Sequence, residues 1–286
     1  MGVERGEMNR LFVAYKPPFI SSNRFLTQLK RKYGVKKGGF SGTLDPFAEG
    51  VLVVAFGRYT KLFPFLKKSP KIYTATLLLG GVSPTLDIEK VERIDPTSPF
   101  SKDEIRKVLK GFEGGYLQRP PLYSAKKVGG ERAYRRAIRG EEVELKPVEV
   151  EIFSIELLHY SHPFLTIRAE VGEGCYIRTL GADIAERLGT TGFLTYLKRE
   201  QEGSFFYRCE EPLNPIEHLN LPPLHYLGSW EWVKLGKRLT PQWFKNRDGT
   251  PPFEGRYYIT NGEILTLLEV KGDRVYYLLN NLPLPS

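Results

Sequence analysis

One carboxylate on a stiff loop is the first feature able to do chemistry. Asp45 lies within Gly38 to Gly57, GGFSGTLDPFAEGVLVVAFG, between Leu44 and Pro46. Pro46 confines Leu44 and Asp45 to an extended or turn geometry, because residues before proline avoid the helical region. The surrounding glycines permit positive φ or the close approach of a ligand. Asp45 is therefore predicted on a rigid loop at the mouth of a sheet, a fitting place for a nucleophile or base. The plainer alternative is an Asp-Pro turn between elements. No other chemistry competes strongly. Cys175 and Cys209 make neither a disulfide framework nor a zinc site, and His159, His162, His218 and His225 form no ligand pattern. There is no P-loop and no dinucleotide fingerprint, so the expectation is an activity without metal or cofactor.

The elements that position Asp45 follow from periodicity. LFVAY reads as a strand, and Ser22 is the expected cap of a helix carrying Phe25, Leu26, Leu29 and Tyr33 on one face, with Gly34 as its stop. VLVVA is an apolar strand bounded by Gly50 and Gly57. KIYTATLLLG alternates with period two and is a strand. Ser101 to Glu104 is a capping box before an amphipathic helix containing Ile105, Val108, Leu109 and Phe112. VEVEIFSIELL and FLTIRAEV are two more strands. VGEGCYIRTLGADIAERLG reads strand, glycine turn, then helix, with Leu180, Ile184 and Leu188 on one face. PLNPIEHLNLPPLHYLG is proline-rich and reads as a linker. Beyond it, RYYIT, EILTLLEV and DRVYYLL suggest a small β module.

The chain has 286 residues, 41% hydrophobic, with a formal net charge of +9. That suits one large unit plus a small one, and a polyanionic partner. The charge is clustered: Arg24–Lys37 holds six basic residues and no acid, and Arg119–Lys146 holds eight against four acids. Aromatics such as Tyr33, Phe63, Tyr123 and Trp243 are interleaved. Basic stripes hold phosphates and aromatic faces stack on unpaired bases. No apolar run approaches the ~18 residues of a membrane span. The polar start MGVERGEMNR is no signal peptide, and a reducing, cytoplasmic setting is expected.

SGTLDPFAEGVLVVAFG resembles the catalytic motif of the TruB family of tRNA pseudouridine synthases, usually G-H-x-G-x-L-D-P-x-A-x-G-x-L. Further stretches resemble the family in the expected order over roughly residues 11–207: KPPFISSN, KIYTATLLLG, RPPLYSAKKVGG, GCYIRTL and TYLKREQEGSF. The resemblance implies an α+β pseudouridine synthase fold, a mixed, largely antiparallel sheet with flanking helices, and a β-rich PUA-like RNA-binding domain at the C-terminus. The implied division is a flexible lead over 1–10, a catalytic domain over 11–228 with an RNA-clamping insertion at about 119–147, and the PUA-like domain over 229–286.

It further implies that Asp45 is the catalytic carboxylate, that Tyr73 lies against the target uracil, and that Arg178 pairs with Asp45. Gly42, Thr43, Leu44, Lys16, Ile177, Tyr123, Lys126 and Arg199 fall on motif positions near the substrate. Phe40 stands where the family usually has a histidine that pushes into the RNA fold. It keeps the wedge but not the hydrogen bond. Tyr15, Phe19 and Pro84 also replace the usual acid, glycine and aspartate, and Cys175 replaces a small polar residue. The implied reaction turns uridine into pseudouridine in the TΨC loop of tRNA, at position 55, with the base flipped out. Asp45 would engage either C6 of the ring or C1′ of the ribose, and the Tyr73 hydroxyl is a candidate for taking the C5 proton. The implied partner is the tRNA stem-loop, engaged by a monomer with no obligate protein partner. A guide-RNA-dependent synthase of the same family and a tRNA-folding chaperone with dispensable catalysis are the rival readings.

Overall fold

The computed structural model describes residues 8–123, 127–128, 131–132, 139 and 145–285. A nine-stranded sheet organises it. In chain order the elements are β1 (Arg10–Lys16), α1 (Ser22–Lys32), β2 (Gly38–Ser41), β3 (Glu49–Phe56), β4 (Lys71–Leu79), α2 (Lys102–Lys110), β5 (Gly114–Gln118), β6 (Val148–Ser161), β7 (Phe164–Val171), α3 (Ile177–Arg187), β8 (Gly192–Glu202) and β9 (Phe205–Phe206). The strand order is β1–β3–β8–β4–β7–β6–β5, with β2 paired to β3 and β9 to β8. Only the β3–β8 pair is parallel; the other pairs in this sheet are antiparallel.

That parallel pair creates the geometry that matters. One edge of β3 runs against β1 over its length. The other edge is shared: β2 takes Val53–Phe56, and β8 takes Glu49 and Gly50. Residues 42–48 leave β2 and return to β3 where these partners diverge, so the loop carrying Asp45 fills the fork between β2 and β8. Gly50 is required there. Its φ is +112°, and a Cβ would sit 2.2 Å from the Arg199 carbonyl oxygen.

Helices α2 and α3 cover one face of β4, β6, β7 and β8. Ile105, Leu109, Leu180 and Ile184 join Leu77, Ile167, Leu194 and Leu197, and Leu44, Phe47 and Ala48 of the Asp45 loop enter the same core. α1 covers the Phe12, Ala14, Leu52 and Val54 face of β1 and β3 with Phe25 and Leu29. The cap of α1 differs from expectation. Ser21 accepts the Arg24 amide at 3.2 Å, whereas Ser22 is buried and exchanges hydrogen bonds with the backbone of Leu44. The side chain of Ser22 is thus committed to the Asp45 loop and unavailable to the helix end.

The last strands are β10 (Gly255–Thr260), β11 (Ile264–Lys271) and β12 (Arg274–Pro283), an antiparallel meander. Its Leu265, Leu267 and Leu282 share a buried cluster with Leu11 and Val13 of β1 and Val51 and Val53 of β3. The proline-rich run before it is packed as well. Leu219 and Leu224 are buried, and Leu213 donates its amide to the Leu11 carbonyl at 2.8 Å. Among the described residues no helix is long and apolar enough to cross a membrane.

Candidate active site

Four segments converge on Asp45. Its loop starts at Gly42, with φ +59°, and closes with the Ala48 amide donating to the Asp45 carbonyl at 3.1 Å. Arg178 comes from the first turn of α3 and Tyr73 from β4. Asp87 comes from the turn after β4, where Leu86 has a φ of +60°. Arg178 grips both Asp45 oxygens: Nε lies 2.8 Å from Oδ2, and Nη2 donates to Oδ1 at 3.1 Å. Its other contacts hold the fork in place. Nη1 donates to the Thr85 carbonyl at 2.6 Å and to Asp87 Oδ2 at 3.4 Å, and Nη2 donates to the Tyr123 carbonyl at 2.9 Å. Planar bidentate geometry of this kind is what guanidinium offers and ammonium does not.

The expected Asp45–Arg178 pair is therefore present. The Arg178 side chain is 5% exposed and that of Asp45 33%, so the carboxylate keeps one open side. Burial pushes the Asp45 carboxyl above its ordinary value, Arg178 pulls it down, and the Asp87 carboxylate pushes it up again; the net direction is upward. Asp87 is not among the candidate residues read from the sequence. It is buried, and it is fixed by the Thr85 hydroxyl at 2.6 Å and the Glu89 amide at 2.9 Å.

A cavity of about 260 Å³ opens above Asp45, lined by Gly42, Thr43, Leu44, Lys71, Tyr73, Gly174, Cys175, Tyr176, Ile177, Arg178, Leu197 and Arg199. It is smaller than a drug-sized pocket and suits a single nucleobase. A larger cleft of about 1050 Å³, between Lys67–Ser69 and Glu149–Glu151, holds none of the predicted site residues, so chemistry selects the smaller one. Tyr73 is buried, which pushes its phenol above its ordinary value, and it lies within hydrogen-bonding reach of Arg199. The Tyr73 side chain lines the cavity together with Asp45 and Ile177. Cys175 is pushed to about 12 by burial and is no nucleophile.

Several predicted contacts fall elsewhere. Lys16 does not reach the cavity: it is fully buried and donates to the carbonyls of Pro17, Pro46 and Ala48 at 2.9, 3.2 and 2.6 Å. Desolvation lowers it to about 8. It holds the Asp45 loop through the Pro46 and Ala48 carbonyls. Phe40 does not line the cavity either; its half-buried ring packs on the Phe25 and Leu29 core under α1, so a wedge would have to leave that contact. Arg199 is 1% exposed and reaches the cavity only as part of its wall. Its guanidinium donates to the Val51 and Gly42 carbonyls, both at 2.8 Å. Tyr123 supplies its carbonyl to Arg178, while its ring lies 4.4 Å from the Lys90 ammonium. Lys126 lies outside the described residues. Lys71, Tyr176 and Leu197 also line the cavity and were not singled out from sequence. Lys71 had a signal, since it opens the same strand as Tyr73.

Residues 30–177 match the N-terminal domain of the TruB family pseudouridylate synthases. Fold and site thus define a pseudouridine synthase, an enzyme that isomerises uridine. The tRNA pseudouridine synthase B of Nitratiruptor sp. is 48% identical over 276 residues, covering 96% of this chain and 98% of that protein. The corresponding protein of Sulfurovum sp. is 47% identical with the same coverage. The chain belongs to the TruB family. In solved structures, the fold matches that of a Cbf5–Nop10–Gar1 complex at a TM-score of 0.70 and 21% identity, over 96% of this chain and 85% of that one. An H/ACA RNP bound to a substrate RNA containing 2′-deoxyuridine matches at 0.68 and 20%.

Proposed function

We propose that this chain converts the uridine at position 55 in the TΨC loop of tRNA to pseudouridine, acting in the cytoplasm as a monomer without a guide RNA. One observation carries the reading. A carboxylate with one open side is gripped by a buried guanidinium at the floor of a base-sized cavity, and a tyrosine ring forms part of the wall. The names of the relatives supply the tRNA, and their 47–48% identity over 98% of their length favours a stand-alone enzyme over a multi-component assembly such as the Cbf5–Nop10–Gar1 complex, which shares only the fold.

The reaction breaks the N1–C1′ bond, turns the uracil and joins C5 to C1′, while C5 gives up a proton and N1 gains one. Asp45 engages the uridine as an anion. Arg178 opposes the loss of that charge in a site that excludes water, and holds both oxygens in one plane without ever releasing its own proton. Flipping the base costs a few kcal/mol of stacking. The Tyr73 ring, the apolar Ile177 and Leu197, and phosphate contacts from the basic 119–147 insertion offset it. The 229–286 unit, read as PUA-like, extends the RNA surface.

The test is to incubate the purified chain with unmodified tRNA transcript and map pseudouridine by chemical modification and primer extension. A stop at the TΨC-loop uridine with wild type, absent with Asp45→Asn while RNA binding persists, is expected. Normal turnover by Asp45→Asn would remove the nucleophile assignment. No product from wild type alone would return the weight to a guide or a chaperone role.

A further inference from the structure

Beneath the Gly42 turn lies a second charged cluster that the reaction as described does not use. Glu202, at the end of β8, is fully buried. Its Oε1 accepts the Ser41 hydroxyl at 2.8 Å and lies 3.7 Å from Lys71 Nζ. Its Oε2 stands 3.3 Å from Arg199 Nη2 and, among the described residues, makes no well-directed hydrogen bond. The cluster is packed tightly under the loop: a Cβ on Gly42 would lie 3.0 Å from Arg199 Nη1, 3.1 Å from Glu202 Oε1 and 3.2 Å from Lys71 Nζ. A buried carboxylate facing two cations is costly unless its geometry is useful, since well-packed apolar residues often serve stability as well or better.

We propose that Glu202 is a positioning residue for the isomerisation, holding Ser41 and Arg199 so that the Gly42 turn and the Tyr73 ring present the base to Asp45. The link runs through named contacts. Ser41 and Gly42 lead directly into the Asp45 loop, Arg199 ties down the Gly42 carbonyl, and Arg199 and Tyr73 line the same cavity wall. Glu202 supplies the negative charge that keeps Arg199 turned inward. Without it, the guanidinium and the Lys71 ammonium repel each other at the cavity wall. The loop then loses its anchor, while the attraction of the wall for RNA phosphate is undiminished.

This inference rests on the proposed activity and is tested with it. Wild type, Glu202→Gln and Ser41→Ala are compared in single turnover, with enzyme in excess over T-loop RNA, alongside RNA Kd and Tm. Glu202→Gln is expected to lower the single-turnover rate constant at least tenfold with Kd unchanged or tighter. Ser41→Ala should give a smaller loss of the same kind, non-additive with the first. A purely structural role would lower Tm and the reacting amplitude but leave the rate constant of the folded fraction intact, and that result overturns the proposal. If Glu202→Gln does not fold, Ser41→Ala decides: a wild-type rate constant overturns the proposal. Absence of product from wild type would instead sink the functional reading, and this inference with it.

Discussion

Replacing Arg178 by Met removes a charge while keeping bulk, and the structure sets the size of the effect. A unit charge about 4 Å from a carboxylate, at an effective dielectric near 20, is worth about 4 kcal/mol. That corresponds to about 3 pKa units. The Asp45 side chain is 33% exposed, so solvent screening reduces this to about 1–2 units. Because Asp45 already titrates above its ordinary value, the variant moves it closer to neutrality. Only the anion reacts, so activity is lost as pH falls through that value. In Arg178→Met the acid limb of the single-turnover rate should lie about 1–2 units higher than in wild type, with part of the lost rate returning in alkaline buffer. The stability effect has a defined sign. A carboxyl whose folded pKa is raised costs stability as pH rises from its unfolded to its folded value. The nearly buried Asp87 also loses its counter-charge. The variant should therefore be less stable by about 3–5 kcal/mol at neutral pH, and its Tm deficit against wild type should shrink on acidification. Rate–pH profiles and melting curves for both proteins read this directly. Coincident acid limbs would refute the claim that Arg178 governs the charge on Asp45.

Two further substitutions test the scaffold. Lys16→Met leaves the buried Ala48 carbonyl and the part-buried carbonyls of Pro17 and Pro46 without their donor, and should cost about 1–3 kcal/mol in thermal or urea unfolding. Its RNA affinity and salt slope should match wild type, whereas a lysine bound to phosphate would reduce that slope by about 1. Gly50→Ala forces a Cβ into the Arg199 carbonyl at a backbone angle unsuited to alanine, and should cost about 3 kcal/mol or more in unfolding experiments; a near wild-type Tm would contradict the β3–β8 register.

Much of this arrangement could be read from residues alone, because the relevant signals are local. Alternation over 71–79 made β4, the Ser101–Glu104 box capped α2, and the glycines and Pro46 marked the Asp45 loop. The Asp45–Arg178 pair followed from family resemblance, since no local rule joins residues 133 positions apart. The misreadings share another cause. Ser21 and Ser22 have identical chemistry, and only the approach of Leu44 decides which one caps α1. Lys16 looks like any surface lysine until three carbonyls surround it. Phe40 is read as a wedge from the family histidine it replaces, and without RNA its half-buried ring packs against the core under α1. Glu202 carried no signal, because burial of a long charged side chain depends on partners from other strands.

The shared cluster that joins Leu265, Leu267 and Leu282 to the back of β1 and β3 sets an order on biosynthesis. At about 5–20 residues per second, a ribosome makes β1 and β3 tens of seconds before β11 and β12 emerge. During that interval Leu11, Val13, Val51 and Val53 have no final cover, and the residues of the Asp45 site, the last of them Glu202, are all made before that cover arrives. The nascent chain thus carries an apolar sheet face that nascent-chain chaperones can bind. The enzyme reaches its finished state through the last strands of its fold, not through the Asp45 loop.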